Sequence, residues 1–92
     1  MKLKELIQSI SKDIEILNSY TKKSVFGMNI DYVFFKIRSH YYLVSKSIGY
    51  FNAHLYVLTE QTSDGSKDIS EAKAFNRKGL IDYIKRLVIL EN

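Results

Sequence analysis

Between Leu3 and Leu17 the apolar residues Leu3, Leu6, Ile7, Ile10, Ile14 and Leu17 recur three and four apart. At about 100° per residue they fall within one arc of roughly 100°. Lys4, Gln8, Ser11, Lys12 and Glu15 take the opposite side. The spacing predicts a helix over residues 2–20, with Lys22 and Lys23 just past its end, where cations suit the negative pole. Residues 21–29 break the period and contain Gly27, so they read as a connection, with Val25, Phe26 and Met28 expected to be tucked down.

From Ile30 to Glu60 the period becomes two, and Tyr, Phe, Val and Ile are dense enough for three strands, over 30–38, 40–47 and 50–59. An antiparallel meander is the simplest assembly. A reversal at Ile48 and Gly49 would set Val44 opposite Ala53, Tyr42 opposite Leu55 and His40 opposite Val57 on one side, and Leu43 with His54, Ser45 with Asn52 and Tyr41 with Tyr56 on the other. In the first strand Val33, Phe35 and Ile37 form one face, and Tyr32, Phe34, Lys36 and Arg38 the other.

Residues 61–67 are a polar loop centred on Asp64 and Gly65. Asp68 and Glu71 have the spacing of an N-terminal capping pair, and Ala72, Phe75, Leu80, Tyr83, Ile84, Leu87 and Leu90 follow at helical spacing, so a helix over 69–90 is expected. Gly79 inside that pattern costs about 1 kcal/mol relative to Ala and marks a close crossing. Ala74, Ile81 and Val88, seven apart, lie outside the main stripe and form a second apolar seam. The fold expected from these elements is α+β, a single domain running helix, three-stranded antiparallel sheet, helix (αβββα).

Length and composition narrow the functions. Ninety-two residues support one core, and 46% hydrophobic with 26% charged residues describe a globular unit. There is no Cys, which removes disulfides, thiolate catalysis and Cys-ligated metals. Glu5, Gln8, Lys12, Asp13 and Glu15 interrupt any apolar run of the length a signal peptide or membrane span needs. A cytoplasmic location is expected, the host cytoplasm if the chain is viral, with no membrane partner. The net charge of +4 permits an acidic partner without requiring one.

Little in the chain suggests catalysis. In the expected register His40 and His54 fall on opposite faces and cannot share a metal or an acid–base task. Ser45 and Ser47 lack an adjacent His and carboxylate, and Asp64, Ser66 and Asp68 lack the closing Glu of a calcium loop. No catalytic residue, metal, cofactor or small-molecule substrate is expected, and the chain is read as a non-enzyme.

Two surfaces remain as candidates for recognition. One is the sheet face carrying Tyr32, Phe34, Lys36, Arg38, Tyr41, His54 and Tyr56; the other is the surplus seam of the second helix. The leading expectation is a non-catalytic protein-binding module, an inhibitor or adaptor acting on a larger protein or nucleoprotein through Phe34, Arg38, Tyr41, Tyr56, Ile81 and Val88. The alternative is nucleic-acid binding, RNA or DNA, with Lys36, Arg38, Lys67, Lys73, Arg77 and Lys78 on phosphates and Tyr32, Tyr41 and Tyr56 as stacking platforms. A structural homodimer is a third class.

Two resemblances accompany these expectations. The stretch Gly65 to Lys73, GSKDISEAK, is similar to the start of the last helix in double-stranded-RNA-binding domains, which also run helix, three strands, helix. That resemblance implies phosphate contacts from Lys67 and Lys73. The family's alanine-rich helix body and its basic, histidine-bearing loop between strands one and two have no counterpart here. In size and element order the chain also resembles some small phage-encoded inhibitors of bacterial defence nucleases, including anti-CRISPR proteins. No family is assigned on either ground.

Overall fold

A computed structural model describes residues 2–49 and 53–90. The chain runs α1 (Leu3–Ile10), β1 (Ile14–Lys23), β2 (Asn29–Ile37), β3 (His40–Ile48), β4 (His54–Gln61), β5 (Lys73–Phe75) and α2 (Arg77–Leu90). The strands form one antiparallel sheet in chain order. The expected three-stranded αβββα fold is thus corrected to a five-stranded sheet flanked by two helices. Each expected helix is too long, and each contains a strand. The helix, three strands, helix order behind both resemblances is not the order of this chain.

The helix expected over 2–20 ends at Ile10. Ser11 is extended, its hydroxyl accepts from the Asp13 amide at 3.1 Å, and the Ile14 amide donates to its carbonyl at 3.3 Å, closing a tight turn. Beyond the turn Ile14 and Ile16 point into the core while Glu15 points out, and Asn18, Ser19, Tyr20 and Thr21 are weak helix formers. The residues therefore fit a strand as well as a helix, and pairing with β2 decides the matter. Between Ile16 and Asn18 the register jumps, leaving Leu17 as the extra residue of a bulge. This reverses the parity, so Tyr20 and Lys22 lie on the face opposite Ile14 and Ile16.

The helix expected over 69–90 starts eight residues late, at Arg77. Asp68 does not cap it: its carboxylate accepts from the Gln61 side-chain amide across the sheet edge. The cap is Asn76, whose Oδ1 accepts from the Gly79 amide at 2.7 Å. Gly79 marks no helix crossing. A Cβ there would lie 3.0 Å from that Oδ1 and 3.5 Å from the Phe75 ring, so the glycine leaves room for the cap. Residues 68–75 instead satisfy the edge of β4, through the Ile69 amide to the Glu60 carbonyl (2.8 Å), the Glu60 amide to the Ser70 hydroxyl (2.9 Å) and the three-residue ladder of β5.

The strands expected over 30–38 and 40–47 are β2 and β3 to within a residue at each end. The third, expected over 50–59, is β4; residues 50–52 lie outside the described residues, and the strand runs on to Gln61. Its register differs. Tyr41 pairs with Gln61 in place of Tyr56, Val44 with Leu58 and Ser45 with Val57. The slip is by an odd number of residues, so β4 turns over relative to β3. Tyr56 consequently enters the core, where it is 2% exposed.

Both helices cover one face of the sheet. Leu3, Leu6 and Ile7 of α1 and Leu80, Ile84 and Leu87 of α2 join Val33, Phe35, Ile37, Tyr42, Val44, Tyr56 and Leu58 in a single core. Val25, Phe26 and Met28, expected to be tucked down, are 95%, 88% and 45% exposed.

Candidate binding face

Alternation along the strands puts a second set of side chains on the side away from the helices. Tyr32, Phe34 and Lys36 come from β2, Tyr41, Leu43 and Ser45 from β3, Val57 and Thr59 from β4, and, past the bulge, Asn18, Tyr20 and Lys22 from β1. Its four rings are half-buried, with no helix above them.

The rings pair across strands. Tyr20 stacks on Tyr32 with centroids 5.1 Å apart and planes at 16°, and Phe34 on Tyr41 at 6.0 Å and 21°. Neighbouring strands are about 4.8 Å apart, so nearly parallel rings at such a separation must stand up from the sheet. Ring edges and phenol hydroxyls therefore point outward, and each ring gives one face to its neighbour. The Lys22 ammonium lies 5.4 Å from the centroid of Tyr20, and that of Lys36 lies 5.8 Å from the centroid of Tyr41.

The loop after β4 folds back onto this face. Gly65, at φ +72°, approaches Phe34 so closely that a Cβ would meet the ring at 3.4 Å. Beside it, the Asp64 carboxylate accepts from the Thr62 hydroxyl (2.7 Å), the Ser66 hydroxyl (2.7 Å) and the Ser66 amide (3.0 Å). These bonds, the one from Thr62 first, lower its pKa from 3.8 to about 2. A cleft of about 140 Å³ lies between Asp64, Tyr20, Phe34 and Leu43. Glu15 lies opposite Lys36, and Asp64 and Asp68 flank the face from the loop, so its lysines are met by carboxylates and it offers no cationic track to draw a polyanion.

Of the residues expected to bind a protein, Phe34 and Tyr41 meet on the open face and the other four lie elsewhere. Tyr56 is in the core. Ile81 and Val88 are half-buried on α2, on the far side of the sheet. Arg38 occupies the β2–β3 turn at φ 55°, and its guanidinium donates to the Val88 carbonyl at 2.8 Å and approaches Asp13 at 3.4 Å. The set expected to bind nucleic acid is divided as well. Tyr32 and Lys36 are on the open face and Lys67 is in the exposed loop. Arg77 and Lys78 begin α2, and Lys73 donates to the Tyr83 hydroxyl at 2.9 Å. Tyr20, Lys22 and Asp64 were not expected at the site. For the first two the period-two spacing of Ile14 and Ile16 signals a strand but would put them on the core face, and only the bulge at Leu17 turns them outward; nothing in the sequence shows that the loop returns over Phe34.

The histidines do not lie on opposite faces. His54 pairs with Ile48 and His40 begins the same strand, so both face the helices, eight residues apart along β3. His40 Nδ1 lies 3.2 Å from Glu60 Oε2. Among the described residues no three His, Cys, Asp or Glu side chains gather where they could hold a metal ion, and no helix is long and apolar enough to cross a membrane. Comparison with protein-family models, curated proteins and solved structures finds no match.

Proposed function

We propose that the chain is a non-catalytic binding module, an inhibitor or adaptor that engages a larger protein in the cytoplasm through its open sheet face. The observation that carries this reading is the pair of cross-strand ring stacks, Tyr20 on Tyr32 and Phe34 on Tyr41, left half-buried on a face that neither helix covers. An antiparallel sheet can keep one face in water, but that face is then ordinarily polar. Rings with hydroxyls, bordered by lysines, are the anchors that protein interfaces favour. Upright, mutually stacked rings and balanced charge suit a nucleobase platform less well, since such a platform needs free ring faces and a cationic track.

Photo-crosslinking tests the proposal. A benzophenone amino acid replaces Tyr32 or Tyr41 in the native host, with Lys85, exposed on α2, as the control position. The expected result is one protein adduct common to both sheet positions, absent from the control and lost in Phe34→Ser. An adduct sensitive to nuclease, or none at either position, refutes it.

A further inference from the structure

The β1–β2 turn and the C-terminal end of β3 lie at the same end of the sheet. Phe26 and Met28 from the first and Ile48 and Gly49 from the second border one apolar notch of about 410 Å³. Val25 and Phe26 project beyond it at 95% and 88% exposure, and Met28, Ile48 and Leu55 are nearly half exposed. The turn that carries them is internally bonded. The Ser24 hydroxyl accepts from the amides of Phe26 (3.3 Å) and Met28 (3.2 Å), and the Ser24 amide donates to the Met28 carbonyl (2.8 Å). Gly27, at φ +78°, donates its amide to the Ser24 carbonyl. The tip thus offers apolar side chains on a backbone that has already satisfied much of its own hydrogen bonding, as entry into a poorly hydrated layer requires.

Cations surround this tip. Lys22 and Lys23 end β1 directly behind it. Both helices start at this end: Lys2 and Lys4 border a cleft with Tyr20 and Asp31, and Arg77 borders another with Lys46. Against these six stand Glu5 and Asp31, and the Asp31 carboxylate accepts from the Thr21 hydroxyl at 2.7 Å. The far end, around the Arg38 turn, mixes Asp13, Glu15, Glu60 and Asp68 with Lys12, Lys36 and Arg38, so the cationic surplus belongs to the apolar end.

We infer that this end docks on an anionic lipid surface, with Val25, Phe26 and Met28 inserted among the headgroups and Lys22 and Lys23 at their level. Each residue of strand advances about 3.3 Å, which sets the two ammonium groups within reach of lipid phosphates once the turn is inserted. A second copy docked tip to tip would bring six cations against six, and a nucleic acid gains nothing from the projecting apolar side chains. A membrane partner was not expected because no apolar run is long enough to span one; insertion of a turn requires only a few residues and a basic collar. The surface meets the open sheet face at Lys22 alone, and Tyr32 and Tyr41, the crosslinking positions, lie outside it, so the two proposals fail independently.

Co-sedimentation of the whole chain with vesicles tests the inference. The protein is expected to pellet with phosphatidylcholine vesicles containing phosphatidylserine and to stay in solution with phosphatidylcholine alone. Val25→Ser with Phe26→Ser is expected to weaken binding by at least about tenfold. Lys22→Gln and Lys23→Gln should each cost about fivefold. All four positions are exposed, and an unchanged far-UV spectrum confirms that each variant folds. In a Phe26→Trp variant the emission should shift to the blue on adding the anionic vesicles. Wild-type protein left in solution with those vesicles, undiminished pelleting of the double serine variant, or a dimer abolished by the same substitutions overturns the inference.

Discussion

Replacing Tyr56 and Tyr41 with alanine separates the observed register from the one expected from the sequence. Tyr56 is 2% exposed and packs in the core, whereas Tyr41 is half-buried on the open face against Phe34. Truncating Tyr56 removes roughly 150 Å² of buried ring, worth about 4 kcal/mol at about 25 cal/mol per Å². That lies within the range of about 3–5 kcal/mol for aromatic side chains cut to alanine in cores. Tyr41 loses about half that area and one ring pair, so Tyr41→Ala should cost about 1–2 kcal/mol. A domain of this length has roughly 5–14 kcal/mol in all, and Tyr56→Ala removes a large share of it. Urea unfolding followed by far-UV circular dichroism gives both values from the shift in midpoint at constant slope. Were Tyr56 opposite Tyr41 on one face, the two substitutions would cost about the same. Costs equal to within about 0.5 kcal/mol would refute the register and the placement of the open face with it.

Other expectations concern caps, turns and acid. Asn76→Ala should destabilise the protein by about 1 kcal/mol, read as a lower melting temperature, because the Gly79 amide loses its acceptor; Glu71→Ala, at the residue expected to complete a cap with Asp68, should leave stability within about 0.5 kcal/mol. Arg38 combines a left-handed backbone with a hydrogen bond to Val88. Arg38→Ala loses the bond and keeps the strain, whereas Arg38→Gly loses the bond and relieves it, so urea titration should find the glycine variant more stable by about 1 kcal/mol. Asp64 has its pKa lowered by its hydroxyl and amide donors, so its contribution to loop order is complete above the ordinary aspartate value and disappears as pH falls through about 2. A pH titration of the Ser66 amide resonance should show that midpoint, and one near 3.8 would contradict the hydrogen bonding around Asp64.

Several features were legible from side-chain pattern alone because they depend on neighbours along the chain. The alternation of Tyr32, Val33, Phe34, Phe35, Lys36 and Ile37 identifies β2 and sorts its residues onto the correct two faces. The stripe Leu3, Leu6, Ile7 identifies α1, and Leu80, Ile84 and Leu87 identify the buried side of α2. Gly65 and Asp64 mark their loop.

Where two local patterns were both satisfied, only contacts distant in sequence chose between them. Ile10, Ile14 and Leu17 fit a helix and Ile14 with Ile16 fits a strand; the unpaired edge of β2 takes up the strand. Asp68 had the form of a helix cap but found Gln61 across the sheet, and the edge of β4 claimed residues 73–75 before α2 could begin. The β3–β4 register depends on the length of a connection, and a one-residue error there exchanges the two faces of a strand. So composition and periodicity pointed to a small α+β domain with more rings than its core would absorb. Tertiary pairing determined which rings those are, because a side chain's face is set by the partner strand its backbone bonds to.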